Sequence, residues 1–250
     1  MNVRPFLREV SLKREQITNY DAYPFSLAAV RQLHRLEFYP DVTFIVGENG
    51  CGKSTLLEAI ATAWGFNPEG GTINFRFATR ASHSALHDHL RLVRSVSRPR
   101  DGFFLRAESF FNVATDIERM DGEPSPAPPL INSYGGRSLR EQSHGESFLA
   151  LLIHRFGGNG LYILDEPEAA LSPTRQLAVL RSVHQLVLQR SQFIIATHST
   201  ILMAFPRAKI FLLDEAGFTK VRYEDTEHYV VTKEFLNNPN GMLDEILADT

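Results

Sequence analysis

Short apolar runs ending in turn-forming or acidic residues alternate along this chain with longer stretches of helical periodicity. Val42-Thr43-Phe44-Ile45-Val46 is rich in β-branched and aromatic residues, follows a Pro-Asp pair and runs into a glycine loop. It reads as a buried strand, and a helix is expected from Ser54 to about Trp64. Leu161–Leu164, Phe193–Ala196 and Lys209–Leu213 read as further short buried strands, the first entered through Gly157-Gly158-Asn159-Gly160. Between the first two of these, Leu177, Leu180, Val183, Leu186 and Val187 recur at helical spacing. Strands alternating with helices imply a largely parallel sheet covered on both faces.

The middle of the chain breaks this rhythm. From about Ala78 to Ser143 there is a stretch rich in histidine and arginine that reads as helical, an expected strand at Phe103–Leu105, and a loop from Asp121 to Pro129 with four prolines in six residues. Proline at that density cannot continue a helix or a central strand, so the loop is a surface connection. The region 78–143 is expected to be a helical subdomain inserted into a single domain spanning 1–250. Near the C-terminus, Asn240–Leu247 reads as a capped amphipathic helix expected to pack on its own domain.

Composition narrows the class. The 250 residues are 43% hydrophobic and 22% charged, enough for a core, and the single cysteine, Cys51, can form no internal disulfide. A reducing, cytoplasmic setting is expected, and no run approaches the roughly 18 apolar residues of a membrane span. Net charge is −3, with arginine outnumbering lysine 21 to 5. Seven arginines face three acids between Gly71 and Phe110, whereas nine acids face three bases between Phe211 and Thr250. Arg91, Arg94, Arg98, Arg100 and Arg106 suit oxyanions such as nucleic-acid phosphates; a solvated helical face paired with acids is the alternative.

Chemistry enters at Gly47-Glu48-Asn49-Gly50-Cys51-Gly52-Lys53-Ser54, which matches the phosphate loop G-x-x-x-x-G-K-[ST] and lies between an expected strand and an expected helix. Glycines allow successive backbone N–H groups to converge, and the helix N-terminus adds partial positive charge, so polyphosphate is held mainly by main-chain donors. Lys53 is expected at the β- and γ-phosphates, Ser54 on Mg²⁺, and Thr55 near the α-phosphate. Cys51 reads as a small residue tolerated in the loop. The strand Leu161–Leu164 ends in Asp165-Glu166, placing one carboxylate for Mg²⁺ and the next to orient or deprotonate water.

These motifs acquire a subclass from their companions: Leu164-Asp165-Glu166-Pro167-Glu168-Ala169-Ala170-Leu171-Ser172, the strand Gln192–Ala196 followed by Thr197 and His198, and Gln142-Ser143-His144-Gly145-Glu146-Ser147 upstream. Together they resemble the ABC-type ATPases, the superfamily of transporter nucleotide-binding domains and of SMC- and RecF-like proteins. Phe44–Ala61, Glu141–Leu149, Leu161–Pro173 and Gln192–Thr200 are more closely similar to a family of small stand-alone bacterial ATPases. The resemblance implies an α/β P-loop NTPase with a mostly parallel central sheet, an N-terminal antiparallel β element and an inserted helical subdomain. It further implies ATP and Mg²⁺ as ligands, a homodimer sandwiching ATP, and a signature of Ser143, His144, Gly145 and Glu146 acting on the partner's nucleotide. His198 matches the switch histidine at the γ-phosphate.

The match has departures. His144 replaces a signature glycine, Ser172 stands where aspartate is common, and the usual glutamine between the two halves is not apparent. Phe104–Ser109 is the expected equivalent, with Glu108 a candidate on the metal side. Tyr20, Tyr23, Phe25 and Tyr39 are candidates to stack on adenine or are ordinary core aromatics. The 88 residues separating Thr55 from Ser143 are too few for a long coiled-coil arm. A cycle on DNA or a protein client, a transporter subunit, and a nucleotide-gated module that does not hydrolyse ATP are the competing functions.

Overall fold

The computed structural model describes residues 5–73, 84–107, 110–122, 124 and 128–248. Strands β1 (Leu7–Leu12), β2 (Leu36–Glu37) and β3 (Val42–Gly47) precede helix α2 (Lys53–Trp64), with the single turn α1 (Ala28–Arg31) between β1 and β2. Then follow β4 (Leu90–Arg94), β5 (Asp101–Arg106), α3 (Phe110–Asp121) and α4 (His144–Ala150). The second half contains β6 (Gly160–Asp165), α5 (Pro173–Leu188), β7 (Gln192–Ala196), α6 (Thr200–Met203), β8 (Lys209–Asp214), β9 (Gly217–Val221), α7 (Glu227–Asn237) and α8 (Pro239–Ala248).

The central sheet has the order β5-β6-β7-β3-β8-β9. Its first five strands are parallel, and β9 turns back antiparallel on β8. The turn is set by Asp214, whose carboxylate accepts from the N–H groups of Ala216 and Gly217 at 2.8 and 3.1 Å. This is the α/β P-loop architecture expected, and β2-β1-β4 supply the antiparallel N-terminal element.

Alternation along each strand divides the core in two. Val42, Phe44 and Val46 join Phe103, Tyr162, Leu164, Phe193 and Ile195 on the face covered by residues of α3, α4 and α5. Ile45, Phe104, Ile163 and Ile194 face the opposite way, against Leu56, Leu57 and Ile60 of α2 and the small sheet. With both faces covered, the strands need continuous apolar runs, which is the pattern the sequence carries.

One polar side chain joins the two sheets. Gln192 of β7 is fully buried; its amide oxygen accepts from Leu7 N–H at 3.0 Å, and its amide nitrogen donates to the carbonyls of Leu7 and Tyr39 at 2.8 and 3.1 Å. Leucine at 192 has similar bulk but leaves these backbone groups unpaired, so Gln192→Leu should lose about 2–4 kcal/mol of stability in urea unfolding.

One expectation is corrected. Residues 90–94 are a strand, not a helix: the run Leu90-Arg91-Leu92-Val93-Arg94 pairs with β1, and its arginines are engaged. Arg91 meets Glu15 at 3.5 Å, while Arg94 lies 4.5 Å over the Trp64 ring and donates to the Ala63 carbonyl. The span 78–143 accordingly holds one strand of each sheet, β4 and β5, ahead of α3. At the C-terminus α8 is helical as expected and packs on α7, with Ile246 and Leu247 62% and 64% exposed.

Candidate functional site

Register brings the chemistry to one edge of the sheet. Ala196 of β7 stands level with Ile45 of β3 and with Asp165 of β6, so the segments leaving these three strands emerge side by side. Ligands of open α/β sheets gather at these carboxyl ends. Here they carry the glycine loop 47–52, the pair Asp165-Glu166, and Thr197-His198.

In the loop, Gly50 and Gly52 have φ of +81° and +99°, a left-handed region glycine occupies without cost, and Gly52 caps α2. Gly47 is required by proximity: a Cβ there would overlap the Leu213 carbonyl oxygen of the neighbouring strand. Gly47→Ala should therefore displace the loop from β8 and abolish nucleotide binding in a titration with fluorescent ATP, while the remainder of the sheet stays folded. Lys53 is 4% exposed, and its ammonium donates to the Gly47 and Glu48 carbonyls at 2.8 and 2.7 Å. Cys51 accompanies it, its Sγ 3.9 Å from Nζ. Glu48, Asn49 and Gly50 are exposed, whereas Ser54 and Thr55 are half-buried in the first turn of α2.

Ser54 Oγ donates to Asp165 Oδ1 at 3.1 Å, and Asp165 is 4% exposed. A hydroxyl and a carboxylate held together beside a phosphate loop are hard oxygen donors of the kind that Mg²⁺ takes, so these residues fit that ion. Arg106 at the end of β5 braces the pair from behind, bonding Glu58 of α2 at 2.6 Å with its Nε 4.0 Å from Asp165. The next residue, Glu166, has φ +49° and ψ +53°, a left-handed conformation rare outside glycine. Pro167 follows and disfavours the right-handed helical region for the residue before it. Glu166 N–H donates to the Ala196 carbonyl at 3.0 Å, locking the kink. Strain of this kind is characteristic of functional sites.

The kink directs Glu166 toward His198, with Oε1 3.8 Å from Nε2. That nitrogen is buried and has no hydrogen-bond partner among the described residues. Burial, then Lys53 and His228, lower the His198 pKa against the opposing pull of Glu166, which favours the uncharged ring. Its backbone N–H donates to Glu168. Two adjoining cavities open here, one of about 550 Å³ lined by Glu48, Asn49, His198 and α7, the other of about 580 Å³ lined by residues 26–28, 46–51 and 212–215 with Glu227 and His228.

Ser143, Gly145 and Glu146 do not line either cavity. Their segment starts α4, where Ser143 N–H and Oγ donate to the Glu146 carboxylate at 3.0 and 2.8 Å and Arg175 donates to Ser143 Oγ at 3.2 Å. A Cβ on Gly145 would stand 2.7 Å from the Ala170 carbonyl, so this glycine lets α4 approach the loop that follows the acidic pair. His144 is the first residue of α4. Glu108 lies outside the described residues, and Phe104 and Leu105 of the expected glutamine-loop equivalent are buried in β5. Of the adenine candidates, Phe25 packs edge-on against His89, Tyr20 sits 5.8 Å from Arg14, and Tyr23 is 64% exposed; none of them, nor Tyr39, lines the two cavities. Sequence reasoning missed His228, a lone histidine in an amphipathic helix with no motif to mark it.

A glycine loop between strand and helix, facing an acidic strand end, defines a P-loop nucleoside triphosphatase. Comparison with known proteins narrows the class. A model described as "AAA domain" matches residues 16–92, and one described as "AAA domain, putative AbiEii toxin, Type IV TA system" matches residues 130–204. The chain is 29% identical over 228 residues to the L-cystine transport system ATP-binding protein TcyN of Escherichia coli, covering 80% of this chain and 88% of that one. It is 27% identical over 164 residues to the E. coli glutathione/L-cysteine transport system ATP-binding/permease protein CydC, covering 62% of this chain but only 28% of that longer protein. Among solved structures, the SMC head domain from Thermotoga maritima aligns with 87% of the chain and 99% of its own at 16% identity, with a TM-score of 0.43. In these comparisons the chain is similar to ABC-type ATPases.

Proposed function

We propose that two copies of this chain close on two ATP molecules, each bound by the glycine loop of one copy and completed by Ser143, His144, Gly145 and Glu146 of the other, and that hydrolysis reopens the pair. The observation carrying this reading is the Ser54–Asp165 hydrogen bond at the mouth of the glycine loop, with Glu166 and His198 beside it. That Ser143 lines neither cavity of its own copy supports a signature that works across an interface.

Within one copy, the amides of Gly47, Glu48, Asn49, Gly50, Cys51 and Gly52 face the phosphates, and Lys53 exchanges its loop carbonyls for β- and γ-phosphate oxygens. Thr55 borders the α-phosphate. Ser54 and Asp165 would hold Mg²⁺, and Glu108 is a further candidate ligand by its place in the sequence. The ion, when bound, offsets charge on the β- and γ-phosphate oxygens as the terminal phosphoryl group is transferred. Glu166 accepts a proton from the attacking water, and His198 donates a hydrogen bond to the γ-phosphate from Nε2. Positioning and charge stabilisation account for most of phosphoryl transfer, so these residues form a sufficient set.

The cycle acts on DNA or on a protein client in a cytoplasmic setting. A transporter-subunit reading is favoured by the relatives that carry transport names, TcyN among them. No helix among the described residues is long and apolar enough to cross a membrane. A third reading, a nucleotide-gated module without turnover, gives no role to the strained Glu166. Hydrolysis assays separate the three. DNA that stimulates turnover, with an effect fading steeply as salt rises, supports the DNA client; stimulation only by a membrane partner supports transport, and ATP binding without hydrolysis under every condition supports the module.

A further inference from the structure

The C-terminal helix α7 brings a second histidine to the site, one that no family motif covers. His228 Nε2 lies 3.0 Å from His198 Nδ1, and the rings are 5.1 Å apart at 52°. A hydrogen bond between two imidazole nitrogens has one donor and one acceptor, so this contact fixes the tautomer of both rings. The far side of His198 settles the direction. Its Nε2 is buried, otherwise unpartnered, and 3.8 Å from the Glu166 carboxylate. A proton on Nε2 faces an acceptor there, whereas a bare lone pair would face the lone pairs of a carboxylate.

From this geometry we infer that His228 is a positioning residue of the ATPase site: its Nε2–H donates to His198 Nδ1 and holds His198 as the Nε2–H tautomer, aimed at the γ-phosphate. The inference rests on the proposed role of His198. The C-terminal segment is built to hold the ring in place. The buried Thr226 caps α7 by accepting from Tyr229 N–H, and Tyr223 OH donates at 2.9 Å to the carbonyl of Thr200, two residues beyond His198. The helix and the histidine loop are thereby tied to each other. The charged groups around the pair are Glu48 from the loop, Lys53 from α2, Glu166 and Glu168 from the segment after β6, and Glu227 from α7. Lining both cavities, His228 makes the nucleotide site depend on α7 as well as on the sheet.

The test combines spectroscopy with four variants of the full chain. Long-range proton–nitrogen spectra of histidine-labelled wild-type protein should show His198 protonated at Nε2; a proton on Nδ1 overturns the inference whatever the variants do. His228→Ala should lower kcat about 10- to 100-fold, the usual effect of losing a partner that orients a site ligand, with KM for ATP changed less than about threefold. His228→Gln, whose amide reaches the same position, should recover most of the rate, and His198→Ala/His228→Ala should be no slower than His198→Ala alone. A wild-type rate in His228→Ala, or no rescue by glutamine, overturns the inference while a slow His198→Ala leaves the underlying reading standing. A wild-type rate in His198→Ala overturns both.

Discussion

Glu166→Gln should leave ATP and Mg²⁺ binding intact and lower hydrolysis about 10²- to 10⁴-fold, the range expected when a positioned base is removed. Glutamine keeps the length and polarity of the side chain but cannot take the proton from water. The backbone argument strengthens the expectation, because the left-handed kink at 166 depends on Pro167 and on the bond to the Ala196 carbonyl, neither of which the substitution touches. The side chain is also well exposed, so no core contact is lost. Single-turnover phosphate release measures the rate and a fluorescent-ATP titration measures the binding. Hydrolysis at the wild-type rate would remove Glu166 from the mechanism.

Lys53→Met should weaken ATP binding by at least about tenfold. A hydrogen bond to a charged group contributes about 1.5–3 kcal/mol, and each 1.4 kcal/mol is a factor of about ten in affinity. The same substitution alters the nucleotide-free loop, since the ammonium now bridges the Gly47 and Glu48 carbonyls. Methionine matches the stem but leaves those carbonyls without that donor, so a small drop in melting temperature should accompany the lost affinity. Calorimetric titration checks the first effect and thermal unfolding the second. Unchanged affinity would place the phosphates somewhere other than this loop.

Legibility in the sequence followed how local each feature is. The strands β3, β6, β7 and β8 and the helix α2 are set by short runs whose period and bounding residues lie within a dozen positions, and the structure places them within one or two residues of the expected limits. The edge strand β5 was legible from Phe103-Phe104-Leu105 for the same reason. Strand β4 was not: Leu90-Arg91-Leu92-Val93-Arg94 becomes a strand only because β1, some eighty residues earlier, offers an edge, and its arginines suggested a solvated helix. Five residues are too few for period to outweigh that composition. Helix α5 shows the same limit in reverse, with Val183 and Leu186 buried as their spacing implied but Leu177 on the same expected face 57% exposed.

In the site, the positions of Lys53, Ser54, Asp165, Glu166 and His198 were legible from motifs, because each lies at the end of a strand or in the segment that follows it, at the same end of a parallel sheet. The brace Arg106–Glu58 and the His198–His228 contact join elements distant in sequence through single side chains, and no spacing rule encodes them. Helix α8 was legible from its amphipathic spacing, but that spacing reports that a face is apolar without naming what covers it, and Ile246 and Leu247 stay largely exposed.

The measurement closest to the central claim is the solution mass of Glu166→Gln with and without ATP and Mg²⁺, followed by light scattering. Addition of nucleotide should bring the protein to twice the 28.2 kDa of one chain, and Ser143→Arg, placed at an exposed helix start, should prevent that association while each chain still binds ATP. A mass unmoved by saturating ATP and Mg²⁺, or pairing indifferent to the change at Ser143, would contradict a nucleotide enclosed between two copies.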